Sequence, residues 1–125
     1  MQRLKGVHPD LVKVVHLARD FSTVHFIVVE GVRTLEKQRE YFSKGKSKTM
    51  KSRHLTGHAV DLAPFVDTDG DGDIELSWAM KDFRPIAIAM KAAGMKLGVS
   101  VEWGGDWLSF VDAPHFQLNP QKYPA

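Results

Sequence analysis

The sequence predicts one small α+β domain, and three observations support this fold class. The chain has 125 residues, 43% of them hydrophobic, so it can bury a core of its own without disulfide bonds. The predicted elements follow one another in the order helix, strand, helix, strand, helix, strand, strand, which fits an α+β domain. No repeat and no linker interrupts them, and we therefore expect a single domain over residues 1–125.

The first half of the chain predicts two helices and two strands. Apolar residues recur at helical spacing after Pro9, a residue that suits the first turn of a helix. The β-branched, apolar run VHFIVVE predicts a buried strand, and Thr34 is the expected N-cap of the second helix. The predicted ranges are helix 9–20, strand 24–30, helix 35–43, polar loop 44–57 and strand 59–65.

The second half predicts a long helix and two strands after an acidic turn. Ser77 is the expected cap of a short helical turn that precedes the longer helix. We expect Pro85 in the first turn of that helix and Gly94 just past its end. The predicted ranges are acidic turn 67–73, strand 97–103 and strand 115–118.

Composition and charge exclude several classes of site. The chain has no cysteine, which excludes disulfides, thiolate metal sites and a cysteine nucleophile, so histidine, aspartate or glutamate must hold any metal. The N-terminus lacks a signal-peptide core and no apolar run is long enough for a membrane anchor. A cluster of basic residues either binds an anionic polymer or forms a solvated loop. It lacks the interleaved aromatic residues and the known fold of a nucleic-acid-binding module. Its members are Lys44, Lys46, Lys48, Lys51 and Arg53.

The stretch 52-SRHLTGHAVDLAP-64 concentrates candidate metal ligands. A helical HExxH site is disfavoured, because no glutamate follows His54 and Gly57 lies between the two histidines. A loop ligand at His54 and a strand ligand at Asp61 fit better. A carboxylate among apolar neighbours is costly to bury unless it is paired or binds a cation. The alternative is that Asp61 ends a strand and faces solvent or Arg53.

A second stretch, 112-DAPHFQL-118, strengthens the metal interpretation. His115 begins a predicted strand, and Pro114 stiffens its link to Asp112. A zinc ion held by three protein ligands keeps one position open for water, and a nearby carboxylate can take the proton of that water. The pattern therefore indicates a catalytic metal site.

These stretches resemble a known family over nearly the whole chain. The run 52-SRHLTGHAVD-61 matches the SxHxxGxAxD motif of the zinc D-Ala-D-Ala carboxypeptidase and L-alanyl-D-glutamate endopeptidase family. Its closing motif resembles 102-EWGGDW-107 with 112-DAPHFQ-117, and its early motif resembles 31-GVRTLEKQ-38. The resemblance implies a Hedgehog/DD-peptidase-like fold, with a mainly antiparallel sheet flanked by helices. The short single-domain form resembles a bacteriophage endolysin.

Roles follow from this resemblance residue by residue. It implies one catalytic Zn²⁺ held by His54, Asp61 and His115. It implies Asp112 as the general base and Arg33 as the group that polarises the substrate carbonyl or stabilises the oxyanion. Without the resemblance, Arg33 would be interpreted as a surface arginine at the end of a strand.

Four further residues are candidates for the substrate groove, and a fifth is an alternative base. We expect Gln38, Ser52 and Trp107 to shape the substrate groove. Trp103 fits either the groove or the core. Glu102 is an alternative base, although its place at a strand end favours a structural role.

The acidic stretch 67-DTDGDGDIELSW-78 resembles the start of an EF-hand loop. Asp67, Asp69 and Asp71 fill positions 1, 3 and 5, and Asp73 follows them, which predicts a Ca²⁺ site. Position 12 is Trp78, where an EF-hand has its bidentate glutamate. The alternative is a solvated acidic turn.

The resemblance implies hydrolysis of the peptidoglycan stem peptide, at the L-alanyl-D-glutamate bond, in host cell lysis by a phage. One alternative is D-alanyl-D-alanine carboxypeptidase or dipeptidase activity at the same site. The other is a zinc-bearing cell-wall-binding module without catalysis, which the presence of Asp112 and Arg33 disfavours. We expect a monomer that folds in the host bacterial cytoplasm, is released through a holin, and acts in the periplasm or cell wall. No nucleic-acid partner and no membrane anchor are expected.

Overall fold

The computed structural model describes residues 2–46 and 52–124, and it confirms a small α+β fold with an antiparallel sheet. Three α-helices and five strands form the described ranges, joined in places by short 3-10 turns. The helices are α1 (Pro9–Phe21), α2 (Leu35–Ser43) and α3 (Met80–Leu97). The strands are β1 (Phe26–Glu30), β2 (Ala59–Val66), β3 (Glu75–Leu76), β4 (Val101–Trp103) and β5 (His115–Leu118).

The sheet has the order β1-β2-β5-β4, with β3 paired to the far end of β2, and each of these pairings is antiparallel. Its register matters for function. Asp61 on β2 lies opposite Glu30 on β1 and opposite His115 on β5. Residues directly opposite each other have Cβ atoms about 4.5–5.5 Å apart. The register therefore brings three polar side chains together across three strands.

The core lies where α1 and α3 pack against each other and against the sheet. Leu11 and Val14 of α1 are fully buried, as helical periodicity predicts for that face. Phe83 and Met90 contribute the matching face of α3. This apolar layer packs against the sheet that carries the polar residues described above.

The predicted end of α3 was wrong. Gly94 does not follow the helix but lies inside it, and a Cβ there would meet the backbone oxygen of Val99 at 2.6 Å. The helix ends instead at Gly98, whose φ of 71° is the left-handed conformation that glycine adopts readily. Because α3 extends to Leu97, the strand predicted at 97–103 is reduced to β4.

The predicted beginning of α3 was also wrong. No separate turn follows Ser77, because one helix begins at Met80 after Ala79, and Pro85 lies in its second turn. Ser77 Oγ instead accepts the backbone N–H of Ala79 and donates to the carboxylate of Asp82 over 2.5 Å. The strand β3 was not predicted, since two residues carry no periodicity.

The remaining predicted elements agree with the structure within a few residues. Thr34 caps α2 as expected, accepting the backbone N–H of Lys37 at 3.1 Å. The loop predicted at 44–57 ends in a 3-10 turn at Arg53–Thr56. Two members of the basic cluster, Lys48 and Lys51, lie outside the described residues. Across the part of the chain that is described, no helix is long and apolar enough to cross a membrane.

Candidate metal centre and active site

The 3-10 turn at Arg53–Thr56 presents His54 to the sheet. Ser52 caps the turn by accepting the backbone N–H of His54 at 3.2 Å. Gly57 ends it with a φ of 77°, and a Cβ there would meet the backbone oxygen of Gly6 at 2.4 Å. The serine and the glycine of the SxHxxG motif thus shape the loop that carries the histidine.

One ring nitrogen of His54 is hydrogen-bonded to the backbone. Nδ1 lies 2.8 Å from the carbonyl oxygen of Gly31, which can only accept, so Nδ1 carries the proton. The other nitrogen, Nε2, then has a free lone pair and lies 3.1 Å from Asp61 Oδ1. His54 is 1% exposed, so water does not compete for this arrangement.

His115 completes the group from the neighbouring strand. Its Nδ1 lies 3.5 Å from the same oxygen, Asp61 Oδ1, and its Nε2 lies 2.8 Å from Gln117 Oε1. One ligand atom each from His54, Asp61 and His115 lies within 4.8 Å of the other two. Two imidazole nitrogens and a carboxylate oxygen are a donor set that suits zinc. This group could hold a metal ion.

The close packing of Asp61, His54 and His115 shifts the pKa values of Asp61 and His115. Burial opposes ionisation of Asp61, but when the rings of His115 and His54 are protonated, their hydrogen bonds and positive charge hold the pKa of this carboxyl well below its usual range. Burial likewise opposes a charge on His115, yet the Asp61 carboxylate raises the pKa of this imidazole above its usual value. The site therefore favours a positive charge between the carboxylate and the rings, and a metal cation meets the same demand.

Asp112 lies beside this group in the turn that leads into β5. Its backbone oxygen accepts the N–H of His115 at 3.1 Å, and its own N–H donates to the oxygen of Gly104 at 3.0 Å. A Cβ on Gly104 would lie 2.2 Å from the Asp112 oxygen, so glycine is required there. Burial and the negative charge of Asp61 raise the pKa of Asp112 above its usual value.

The two tryptophans of the EWGGDW segment have different surroundings. Trp103 is 8% exposed, stacks on Phe116, and donates from Nε1 to the oxygen of Ala113 at 2.6 Å. It belongs to the core and holds the Asp112 turn, which supports the core interpretation over the groove. The ring of Trp107 lies 5.0 Å from the ring of His115, at the site itself.

Arg33 is buried at the opposite side of the group and held by several partners. Its Nε donates to Glu30 Oε1 at 2.9 Å, and Nη2 also pairs with this carboxylate. Its Nη1 donates to Gln38 Oε1 at 2.7 Å, and Ser52 Oγ lies 3.5 Å from the same nitrogen. Its Nη2 lies 3.9 Å from Asp61 Oδ2.

The rest of the Arg33 environment is aromatic. The guanidinium carbon lies 4.7 Å from the centre of the Tyr41 ring. Arg33 is thus a fixed cation at the site and is not a surface arginine.

Two residues at the site were not predicted from the sequence. Glu30 orients Arg33, and Gln117 contacts His115. Glu102 does not reach the ligand group itself and instead contacts Gln117. An acidic residue that ends a buried strand was the available signal for Glu30. For Gln117, the sequence offered no signal beyond the position of this residue in the closing motif.

The acidic loop forms a second, separate cluster. Asp67, Asp69 and Asp71 are exposed, and one oxygen of each lies within 4.8 Å of the others, which could hold a metal ion. Asp67 accepts the backbone N–H groups of Gly70 and Gly72, both at 2.9 Å. These bonds lower the pKa of Asp67. Asp73, the fourth predicted ligand, is not part of this group.

Comparison with known proteins identifies the family of this chain. The family model described as "Phage L-alanyl-D-glutamate peptidase" matches residues 1–118. The chain is 34% identical over 110 residues to the L-alanyl-D-glutamate peptidase of Escherichia phage T5, covering 85% of this chain and 76% of that protein. It is 36% identical to the L-alanyl-D-glutamate peptidase of Listeria phage A118, over 80% of this chain but 32% of that longer protein.

A solved structure is also similar throughout. The L-Ala D-Glu endopeptidase ChiX of Serratia marcescens matches with a TM-score of 0.89 and 45% identity, covering 99% of this chain and 89% of that one. Fold and sequence thus agree, and the chain is a peptidase that belongs to the phage L-alanyl-D-glutamate peptidase family.

Proposed function

We propose that this protein is a zinc-dependent endopeptidase that cleaves the L-alanyl-D-glutamate bond of the peptidoglycan stem peptide. One observation carries the zinc assignment. One ring nitrogen of His54 and one of His115 lie 3.1 and 3.5 Å from Asp61 Oδ1, and one ligand atom of each residue lies within 4.8 Å of the other two. The names of the relatives, from two phages and from Serratia marcescens, support the choice of bond.

Asp112 is the proposed general base. A zinc ion held by His54, Asp61 and His115 would supply a Lewis acid that makes water more acidic and polarises the substrate carbonyl. Asp112 takes the proton from the attacking water and passes it to the departing amine. Its half-buried place, with a raised pKa, makes it a stronger base than an exposed carboxylate. No nucleophilic side chain and no covalent intermediate are needed.

Arg33 is the proposed electrostatic partner of the substrate carbonyl. Glu30 and Gln38 fix the guanidinium through Nε and Nη1, so it loses little freedom when substrate binds. Preorganised donors of this kind stabilise the oxyanion of acyl transfer. Gln38 is fully buried and therefore acts by holding Arg33.

We propose Trp107 and Ser52 as direct substrate contacts. The indole of Trp107 is partly exposed and lies against His115, and Ser52 is partly exposed beside Arg33. Trp103 contributes by holding the Asp112 turn through Ala113. The proposed groove therefore lies between Trp107 of the β4–β5 loop and Ser52 at the 3-10 turn.

The family supports a role in lysis of a bacterial host by a phage. We propose that the protein is made in the host cytoplasm, acts as a monomer on the cell wall, and reaches the wall through a holin. Gel filtration and complementation of a lysis-deficient phage test these points separately from the chemistry.

The first experiment is mass spectrometry of purified peptidoglycan digested by the protein, with a chelator-treated parallel. New amino termini on glutamate, absent after chelation and restored by zinc, are expected. Loss of terminal D-alanine would instead indicate a carboxypeptidase with the same site. Bound zinc without cleavage would overturn the enzyme proposal and leave a binding module.

A further inference from the structure

Glu102 lies outside the metal-ligand group but is joined to it by one side chain. Gln117 Nε2 donates to Glu102 Oε1 over 3.1 Å, and Gln117 Oε1 lies 2.8 Å from His115 Nε2. Asn119 Nδ2 donates to the second oxygen, Glu102 Oε2, over 2.9 Å. These four side chains form one continuous hydrogen-bonded chain, which we call the amide relay.

The backbone sets the direction of the relay at its far end. Asn119 Oδ1 accepts two backbone N–H groups of the turn after β5, at 3.0 and 3.2 Å, so its nitrogen must face Glu102. Both oxygens of an ionised carboxylate accept. Gln117 must therefore also turn its nitrogen to Glu102 and its oxygen to His115. An amide oxygen accepts only, so His115 Nε2 carries the proton.

We propose that the amide relay fixes the tautomer of His115, with Glu102 and Gln117 as positioning residues for the metal site. The proton on Nε2 leaves the lone pair on Nδ1, the nitrogen that lies 3.5 Å from Asp61 Oδ1. His115 and Gln117 are 6% and 8% exposed, so solvent cannot easily replace the missing partner of either. This inference rests on the proposed metal site and assigns Glu102 a role other than that of the base.

The relay makes a directional prediction for Glu102→Gln, a substitution that keeps the size of the side chain. Asn119 is still oriented by the backbone, so the new amide must offer its oxygen to Asn119 and its nitrogen to Gln117. Gln117 must then flip, and its nitrogen faces His115. The proton of the neutral ring is expected to move from Nε2 to Nδ1, the proposed ligand atom.

Exchanging the carboxylate and the amide between positions 102 and 117 restores the original direction of the hydrogen bonds in the relay. In the double variant Glu102→Gln/Gln117→Glu, the carboxylate at position 117 accepts from both His115 Nε2 and the amide at position 102. That amide still offers its oxygen to Asn119. Every group keeps a partner, and the proton of His115 is expected to return to Nε2.

The readouts are the His115 tautomer and the zinc affinity. Long-range ¹H–¹⁵N spectra of the metal-free protein, at a pH where imidazoles are neutral, distinguish the tautomers, and titration of zinc gives the affinity. We expect Glu102→Gln to show the Nδ1–H form and to bind zinc roughly 10–100-fold more weakly, as for other partners of ligating histidines. The double variant should recover the Nε2–H form of His115 and the zinc affinity of the wild-type protein.

Tyr123→Phe is the matched control. It removes one side-chain hydrogen bond, from the Tyr123 hydroxyl to Asp10 at 2.8 Å, and leaves the backbone hydrogen bond from Tyr123 to Asn119 in place. A lower melting temperature with an unchanged tautomer is expected. Glu102→Gln that keeps the Nε2–H form would overturn the proposal, whether or not zinc binding weakens. Failure of the wild-type protein to bind zinc would contradict the proposed function alone, because the tautomer is read without metal.

Discussion

At the scale of single residues, environment separates two carboxylates of the β4–β5 loop. Asp106 is exposed and pairs with Lys91 at 2.5 Å. Asp112 is half-buried beside Asp61, and burial together with that negative charge raises its pKa. A group that binds a proton more readily is the better base near neutral pH. The two aspartates therefore differ in chemistry although their side chains are identical.

Asp112→Asn should lower kcat/KM by roughly 10²–10⁴-fold, the usual contribution of a general base, because the amide cannot take a proton from water. Zinc affinity should stay close to that of the wild-type protein, since Asp112 is not in the ligand group. Asp106→Asn is the control and should keep full activity. Activity of Asp112→Asn within a few fold of wild type, with zinc bound, would show that another group is the base.

At the scale of elements, glycine positions decide how closely segments approach the site. Gly57 and Gly104 allow backbone contacts that no Cβ would permit, and they place the loops of His54 and Asp112. Gly94 does the same between α3 and the segment before β4. Gly94 lies inside an α-helix, whereas Gly57 ends one 3-10 turn and Gly104 begins another.

Gly94→Ala tests this at a helical position. Helix propensity alone would favour alanine by about 1 kcal/mol. A Cβ 2.6 Å from the Val99 oxygen must displace backbone, and overpacking of this kind costs about 1–3 kcal/mol. We expect a net loss of stability in urea unfolding. Ala92→Gly, at an exposed site of the same helix, measures the propensity effect alone, and a stabilised Gly94→Ala would contradict the close approach.

The acidic loop 67–73 carries the calcium prediction. Calcium titrated by calorimetry into the wild-type protein should give a weak binding isotherm, with a dissociation constant of about 10⁻⁴–10⁻³ M, because position 12 holds Trp78 and no bidentate carboxylate. Asp69→Ala should abolish it, and Asp73→Ala should not, since Asp73 lies outside the group of three. Flat traces for wild type and Asp69→Ala alike would show that the loop is a solvated turn.

At the scale of the whole molecule, both ends of the chain meet at the turn that carries His54. The N–H of His8 donates to the oxygen of Gly57 at 2.8 Å. Arg53 donates from Nη2 to the oxygen of Tyr123 at 2.7 Å, so Arg53 is not the partner of Asp61. The ring of His8 lies 5.2 Å from that of Tyr123 and 5.4 Å from that of His58. The position of His54 thus depends on segments far apart in sequence.

This junction predicts a pH effect on stability. Burial and the charges of Arg53 and His8 lower the pKa of His58. The unfolded chain, with a histidine pKa of about 6.5, then binds the proton more readily than the folded one. Stability contributed by neutral His58 is present above about pH 6.5 and is lost as the pH falls toward the folded pKa.

His58→Gln should therefore show a smaller fall in melting temperature between pH 7.5 and 5.5 than the wild-type protein. His16→Gln, at an exposed site on α1, is the control and should follow the wild type. Comparing each variant with the wild type at both pH values removes the effect of metal loss in acid, which all three share. Equal slopes for His58→Gln and the wild type would contradict the assignment.

The sequence by itself determined the fold class, most elements and the residues that the family motifs mark. Periodicity is a local property, and α1, β1, α2, β2 and β5 were predicted within a few residues for that reason. The local sequence pattern predicted the wrong end of α3 at Gly94. Only the close approach of the Val99 oxygen shows why a glycine lies inside this helix.

Only the tertiary structure decided how the marked residues are oriented. Strand register places Asp61 opposite both Glu30 and His115, and no local pattern encodes register between distant strands. Hydrogen bonds to Gly31 and Gln117 decide which nitrogen of each histidine is free. A metal ligand is defined by the direction of a lone pair, and that direction is set by contacts between residues far apart in the chain.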